Sequence, residues 1–366
     1  MTWLPDTVLD HLRQVSDIPD LTGTSYEFVR LLGRGGMSAV YLVRDRRLDR
    51  EVALKVVDVP DGAEPSGELA ARLGREARIL AHLDHPSIVP IYDVGQLGDG
   101  RCYYTMKRVQ GQRLDEWVAS APPRPARLRL FQRICEAVAF AHAHGVAHRD
   151  LKPPNIMVGR FGEALIMDWG LAKFIAAAPA SVASAAPFSG DADVRAAAET
   201  VSAGPWPGVG ETGAGVLLGT PAYMPPEQIR REAPRLGPQS DVYALGVILY
   251  FLLVDRVPFD GSSAGEIFEQ VVRGDSKAPR HHDPTIGRPL EAICRKAMAR
   301  DPAERYATAE ALASDMASDL DGLAVSAYQE NVLERLGRLL GRHRTLVLLV
   351  SAYLTMRLVL LFWARR

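Results

Sequence analysis

HRDLKPPN, residues 148–155, is the stretch on which the reading of this chain turns. It holds an Asp at 150, a Lys two residues on and an Asn three further. Side chains so spaced converge only if the segment is a loop, and Pro153-Pro154 favours one. Asp150 can accept a hydroxyl proton, Lys152 can neutralise a transferring phosphoryl group, and Asn155 can offer an oxygen to a metal ion. Thirteen residues later IMDWGLAK, residues 166–173, carries Asp168 where a short apolar strand ends. Asp followed closely by Gly is also ordinary turn chemistry. Alone, the fragment leaves Asp168 open as a turn residue or a metal ligand; the two stretches together weigh against chance and for the ligand.

Upstream, YEFVRLL, AVYLVRD and EVALKVV read as three consecutive strands. The turn between the first two, Leu32-Gly33-Arg34-Gly35-Gly36-Met37-Ser38-Ala39-Val40, is rich in glycine. Glycines let backbone amides approach phosphates, although turns use them for other reasons too. Lys55 points the same way as Ala53 and Val57, and a lysine on an inward face needs an anionic partner. Glu76 is the natural candidate; it lies on the helix GELAARLGREARILAHL, whose Leu69, Leu73, Ala77 and Leu80 share a face. Two more strands are expected in VPIYDVGQL and RCYYTMKRV, making a small, mostly antiparallel sheet with one helix.

Downstream the chain turns helical. ARLRLFQRICEAVAFAHAHG is an amphipathic helix ending at Gly145, and DVYALGVILYFLLV is apolar all round, the pattern of a buried core helix. Helices near 264–272, 289–298 and 308–320 follow. A further helix is expected at 6–16. Residues 175–216, rich in Ala, Gly, Ser and Pro, are expected to be disordered.

The 366 residues include 43 basic and 44 acidic side chains, so no global field recruits nucleic acid. Three isolated cysteines, with no CxxC pair, argue against a disulfide framework and fit a reducing compartment. Residues 345–364, TLVLLVSAYLTMRLVLLFWA, form an apolar run with the length, about 20 residues, that a bilayer-spanning helix needs. Arg357 within it costs about 2.5–3.5 kcal/mol if central. Arg335, Arg338, Arg342 and Arg344 precede the run, and Arg365 and Arg366 follow it. The positive-inside rule then expects a single-pass cell-membrane protein with its large N-terminal part in the cytoplasm.

LGRGGMSAV, VALK, HRDLKPPN, MDWG and MPPE, in that order, resemble the signature set of the protein kinases, specifically the bacterial Ser/Thr kinases of eukaryotic (Hanks) type. The resemblance covers residues 26–322. It implies an α+β bilobal fold, a small β-rich lobe over a large helical lobe, with ATP in the cleft and Mg²⁺ beside it. Residues 33, 35 and 36 would lie in the loop over the phosphates. Lys55 would contact the α/β-phosphates and pair with Glu76; Asp150 would be the catalytic base and Lys152 would steady the γ-phosphate. Asn155 and Asp168 would hold the metal. Met106 falls at the gatekeeper, with Lys107, Arg108 and Val109 as the hinge, Ala53 above the adenine and Met157 below it. Thr220 resembles the threonine that bonds the catalytic Asp and Lys. Arg149, Gly170, Glu227, Asp241 and Arg305 would be structural supports, Glu227 pairing with Arg305.

This chain departs from the pattern at Ser38, where a third glycine is usual, at Trp169 in place of Phe, and at Pro225 in place of Ala. Its segment from Asp168 to Glu227, 60 residues, is longer than the family pattern and contains Ser181, Ser184, Ser189, Thr200, Ser202 and Thr212 as candidate phosphorylation sites. The expected division is an extension at 1–25, lobes at 26–109 and 110–322, a juxtamembrane helix at 323–344 and a transmembrane helix at 345–364. Expected partners are ATP, Ser/Thr-bearing proteins and the bilayer, a homodimer being left open. The alternative is a membrane-tethered pseudokinase scaffold.

Overall fold

The computed structural model describes residues 18–35, 38–57, 67–170, 172–174, 221–230, 232, 236–342 and 344–364. The helix expected at 6–16 and the whole of the segment 175–216 lie outside them.

Three strands open the fold, β1 (Tyr26–Arg34), β2 (Ser38–Asp45) and β3 (Arg50–Val57). Helix α1 (Gly67–Ala81) follows, then β4 (Ile91–Gln96) and β5 (Cys102–Lys107). The strands make one antiparallel sheet in the order β1-β2-β3-β5-β4. Side chains alternate across a pleated strand, and β3 sorts accordingly. Val52, Leu54 and Val56 pack with Tyr26, Tyr41 and Tyr103 on one face. Ala53 joins Leu73, Ala77, Leu80, Tyr104 and Met106 on the other. Register sets Lys55 opposite Val40 on one side and Tyr104 on the other, and Ala53 opposite Met106. On α1, Leu73, Ala77 and Leu80 recur at helical spacing, and Glu76 shares that inward side, only 4% exposed.

The second lobe begins with β6 (Gly111–Arg113), α2 (Leu114–Ala119) and α3 (Arg124–Ala143). Helix α3 stops before Gly145, which takes the left-handed φ of 75° that suits glycine. Short strands β7 (Val146–Ala147), β8 (Ile156–Gly159), β9 (Ala164–Ile166) and β10 (Lys173–Phe174) come next. They form a β6-β8-β9 sheet and a β7-β10 pair within a helical lobe, of which only the apolar strand before Asp168 is expected from the sequence. Helices α4 (Pro226–Ile229), α5 (Pro238–Val254), α6 (Ala264–Arg273), α7 (Pro279–His282), α8 (Arg288–Ala297) and α9 (Ala309–Leu320) complete the lobe. Apolar on every side, α5 is the centre, with Val242, Leu245, Val247, Ile248 and Leu249 all buried.

Arg305 ties the end of α4 to this core. Its guanidinium donates to both oxygens of Glu227 at 2.8 Å and to the carbonyls of Ala299 and Gln239. Both side chains are buried, so the pair is retained by its full set of hydrogen bonds rather than by charge alone.

Beyond α9, Asp315 accepts hydrogen bonds from Tyr306 and from the backbone of Ser326 and Ala327, pinning the outgoing chain. Helix α10 (Val332–Arg342) is capped reciprocally by Asn331 and Glu334, and Glu334 also meets Tyr328 and Arg288. Helix α11 (Arg344–Ala364) occupies the run expected to span a bilayer. Among the described residues, however, no helix is long and apolar enough to cross a membrane.

Candidate active site

Lys55 is the junction of the two lobes. Its ammonium donates to both oxygens of Glu76, at 2.8 and 3.0 Å, and to Oδ1 of Asp168 at 3.1 Å. Tyr104, its cross-strand neighbour, donates from its hydroxyl to Glu76 Oε1 at 2.9 Å. Burial opposes the charge of Lys55, but Tyr104, Glu76 and Asp168 around it prevail and hold its ammonium above the ordinary lysine range. Burial likewise opposes the charge of Asp168, and the adjacent Lys55 outweighs it, keeping the carboxyl below its usual value. A Cβ at Gly170 would sit 3.4 Å from Asp168 Oδ1 and 3.5 Å from Glu76 Oε2, ordinary contact distances, so packing here does not itself demand glycine.

A second carboxylate shapes the 148–155 loop. Asp241 stands in the first turn of α5, where a helix favours negative charge. It accepts the backbone N–H groups of His148 and Arg149 at 2.8 and 2.7 Å, and His142 through Nε2 at 2.8 Å. Burial pushes its carboxyl up, but the hydrogen bond and charge of His142, with the Arg149 N–H, win and hold it below the usual range. Arg149 has φ of 68° and Asp168 of 59°, left-handed conformations that cost a non-glycine residue about 1–3 kcal/mol. Asp241 is what holds the first of these in place.

The chemistry-bearing side chains then meet. Asp150 Oδ2 lies 2.8 Å from Lys152 Nζ, and Asn155 Nδ2 donates to Asp150 O and Oδ2 at 2.8 and 3.2 Å. Because the Asn155 amide donates on that side, its Oδ1 faces away from Asp150 and is available to a cation. The Met167 N–H donates to Asn155 O at 2.8 Å, so Asp168 is one residue from a direct link to the loop. Trp169 is 1% exposed and packs its indole on His148 at 4.6 Å. His148 donates from Nε2 to Met167 O, and its Nδ1 accepts from the Asp150 N–H, which sets its tautomer. Among the described residues the buried indole Nε1 of Trp169 has no hydrogen-bond partner, a cost that phenylalanine would not carry.

Along the cleft, Met106 and Ala53 are buried on the α1 side of the sheet and Val109 packs against the same core. Met157 is paired with Arg113 and Leu165. Lys107 bonds through its backbone to Pro90 O, with its side chain outward. In the β1–β2 turn, the Gly35 N–H donates to Ser38 O and Gly33 pairs with Val40. Gly36, Met37 and Thr220 lie outside the described residues. Tyr104, His142 and His148 belong to this network but were not singled out from sequence; only the strand register and the path of the loop reveal them.

A buried Lys55–Glu76 pair reaching a half-exposed Asp168, beside an Asp–Lys–Asn loop and between a five-stranded sheet and a helical lobe, is the architecture of a phosphoryl-transfer cleft. The protein kinase domain family matches residues 26–316, and the chain belongs to it. Among its relatives are the serine/threonine-protein kinase PrkC of Bacillus subtilis, 34% identical over 298 residues (81% of this chain, 40% of that protein), and PknB of Mycolicibacterium smegmatis, 34% over 314 residues (84% and 45%). PknD of Protochlamydia amoebophila is 33% identical over 316 residues, 81% of this chain and 30% of that protein. The chain thus spans less than half the length of the curated relatives it matches.

The two depressed carboxyls set an acid limit. Below about pH 5 the unfolded chain takes up carboxyl protons that folded Asp168 and Asp241 refuse, so stability falls with pH there. Asp241→Asn is expected to cost roughly 2–3 kcal/mol at pH 7. Its stability should then decline less steeply than that of the wild type between pH 5 and 3. Urea unfolding across that range checks both, and parallel pH slopes would count against the assignment.

Proposed function

We propose that this chain is a Ser/Thr protein kinase that transfers the γ-phosphoryl group of ATP to protein hydroxyls. The observation that carries the reading is the convergence of Lys55, Glu76 and Asp168 with Asp150, Lys152 and Asn155 at one cleft. Asp150 orients the acceptor hydroxyl and takes its proton, while Lys152 beside it offsets negative charge on the transferring group. Lys55, held by Glu76, faces the α/β-phosphates. A Cβ at Gly33 would meet no protein atom within 4 Å, and Gly33 and Gly35 have no positive φ, so neither packing nor backbone conformation requires glycine there. Close approach of a phosphate chain gives that requirement a reason. Adenine would lie between Ala53 and Met157, against the hinge behind Met106.

The metal donors fit Mg²⁺: a carboxylate oxygen on Asp168 not engaged by Lys55, and the outward amide oxygen of Asn155, both hard ligands. Mg²⁺ bound there would neutralise phosphate charge. Catalysis by these residues is positioning and charge compensation. Glu227 and Arg305 support the floor on which a substrate peptide would rest.

Helix α11 is read as a membrane contact. Leu348, Leu349, Val350, Tyr353, Leu354, Leu360, Leu361 and Trp363 are all exposed on it, more apolar surface than water favours. The arginines on α10 and at the start of α11 keep the catalytic part on the cytoplasmic side.

Intact-mass spectrometry after incubation with ATP and Mg²⁺ should show added phosphates on the wild type and none on Asp150→Asn. Equal masses before and after incubation, with ATP still bound, would instead favour a scaffold. The full chain should float with lipid vesicles and resist carbonate extraction, whereas a chain ending at residue 343 should do neither; equal behaviour would remove α11 as the anchor.

A further inference from the structure

Beside the hinge lies a cavity of about 570 Å³ that the catalytic residues do not use. Its walls carry Arg30 from β1, Arg108 and Gln110 from the hinge, Gln112 from β6, Trp117 from α2 and Arg160 just past β8, and no Asp or Glu. Arg108 is paired with Glu51 behind it. Arg30 and Arg160 have no carboxylate partner among the described residues. Like charges gathered around a concavity repel one another and focus a positive field into it. The guanidinium forks match a carboxylate in shape and charge, the two amides add donors, and the half-buried indole of Trp117 offers an apolar wall. Such a lining suits an anion on a partly apolar stem.

Its place in the fold indicates which anion. The cavity adjoins Leu32 and Val109 at the outer end of the cleft, away from Lys55 and the loop of Asp150. Strand β8 joins the two sites: it leaves the loop at Asn155 and delivers Arg160 five residues later. At about 3.3 Å per residue that is roughly 17 Å, the span of about five residues of extended peptide. We propose that the cavity selects protein substrates bearing a Glu or Asp about four or five residues from the accepting Ser or Thr. The proposal rests on the kinase reading above and names the substrate class of that same site.

The test uses the full chain and a neutral Thr peptide in which one Glu is moved stepwise along both sides of the acceptor. Wild type should phosphorylate peptides with Glu four or five residues away about fivefold more efficiently, in kcat/KM, than the neutral parent. The double variant Arg30→Ala/Arg160→Ala, altered at two exposed positions, should lose that gain yet phosphorylate the parent at the wild-type rate. A flat scan with the parent still phosphorylated would overturn the proposal and leave the kinase reading standing. So would a preference that survives in the double variant. Arginine-dependent binding of inorganic phosphate with a flat peptide scan would make this a site for a free anion and overturn the substrate assignment. No phosphorylation of any peptide, parent included, would overturn the kinase reading and this proposal with it.

Discussion

A buried lysine that must be shared between two lobes is the constraint on which the rest of this structure depends. Lys55 sits on the inward face of β3, where an unpaired ammonium would be costly. Glu76 from α1 answers that cost from one side and Asp168 from the other. The first contact fixes α1 against the sheet; the second crosses to the helical lobe. Tyr104 occupies a lone-pair site on Glu76 that would otherwise be buried and unsatisfied. Exchange of any one partner leaves another charge uncompensated, so the cleft is assembled as a unit.

The loop that carries Asp150 depends on a different anion. Asp241, presented by the most deeply buried helix of the fold, gathers two consecutive backbone N–H groups and His142. That concentration of donors offsets the left-handed backbone at Arg149, which turns the chain so that Asp150, Lys152 and Asn155 face one point. Strain at the reacting end is thus balanced by electrostatics in the core. Trp169 adds an interaction of its own, filling the space beside His148 at the expense of an indole N–H that finds no partner among the described residues.

Much of this was legible in the sequence because its signals are local. Strand alternation around Lys55, the spacing of Leu73, Ala77 and Leu80, and the proline-interrupted 148–155 loop each reflect a neighbourhood of a few residues. What could not be read was register and long-range packing. Tyr104 meets Glu76 only because β5 pairs with β3 in one alignment, and His142 meets Asp241 across 99 residues of chain. Of the short strands only β9, the apolar strand before Asp168, was read; β6, β7, β8 and β10 were missed because two to four residues leave too little periodicity to detect. The arginines at the hinge cavity come from β1, the hinge and the turn after β8, so no single stretch announces them. At α11 composition suggested a bilayer span, whereas among the described residues no helix is long and apolar enough to cross a membrane.

The lobes, the strained loop and the buried anions serve one arrangement, which on the proposed reading would turn Lys55 toward phosphates and Asp168 with Asn155 toward a divalent cation. Calorimetric titration of ATP, with and without Mg²⁺, on wild type and Asp168→Asn tests that arrangement most directly. Mg²⁺ should tighten ATP binding to the wild type and have little effect on the variant, with affinity in the absence of Mg²⁺ similar in both. An equal gain from Mg²⁺ in the two proteins would contradict the placement of the metal at Asp168, and with it the account of the cleft.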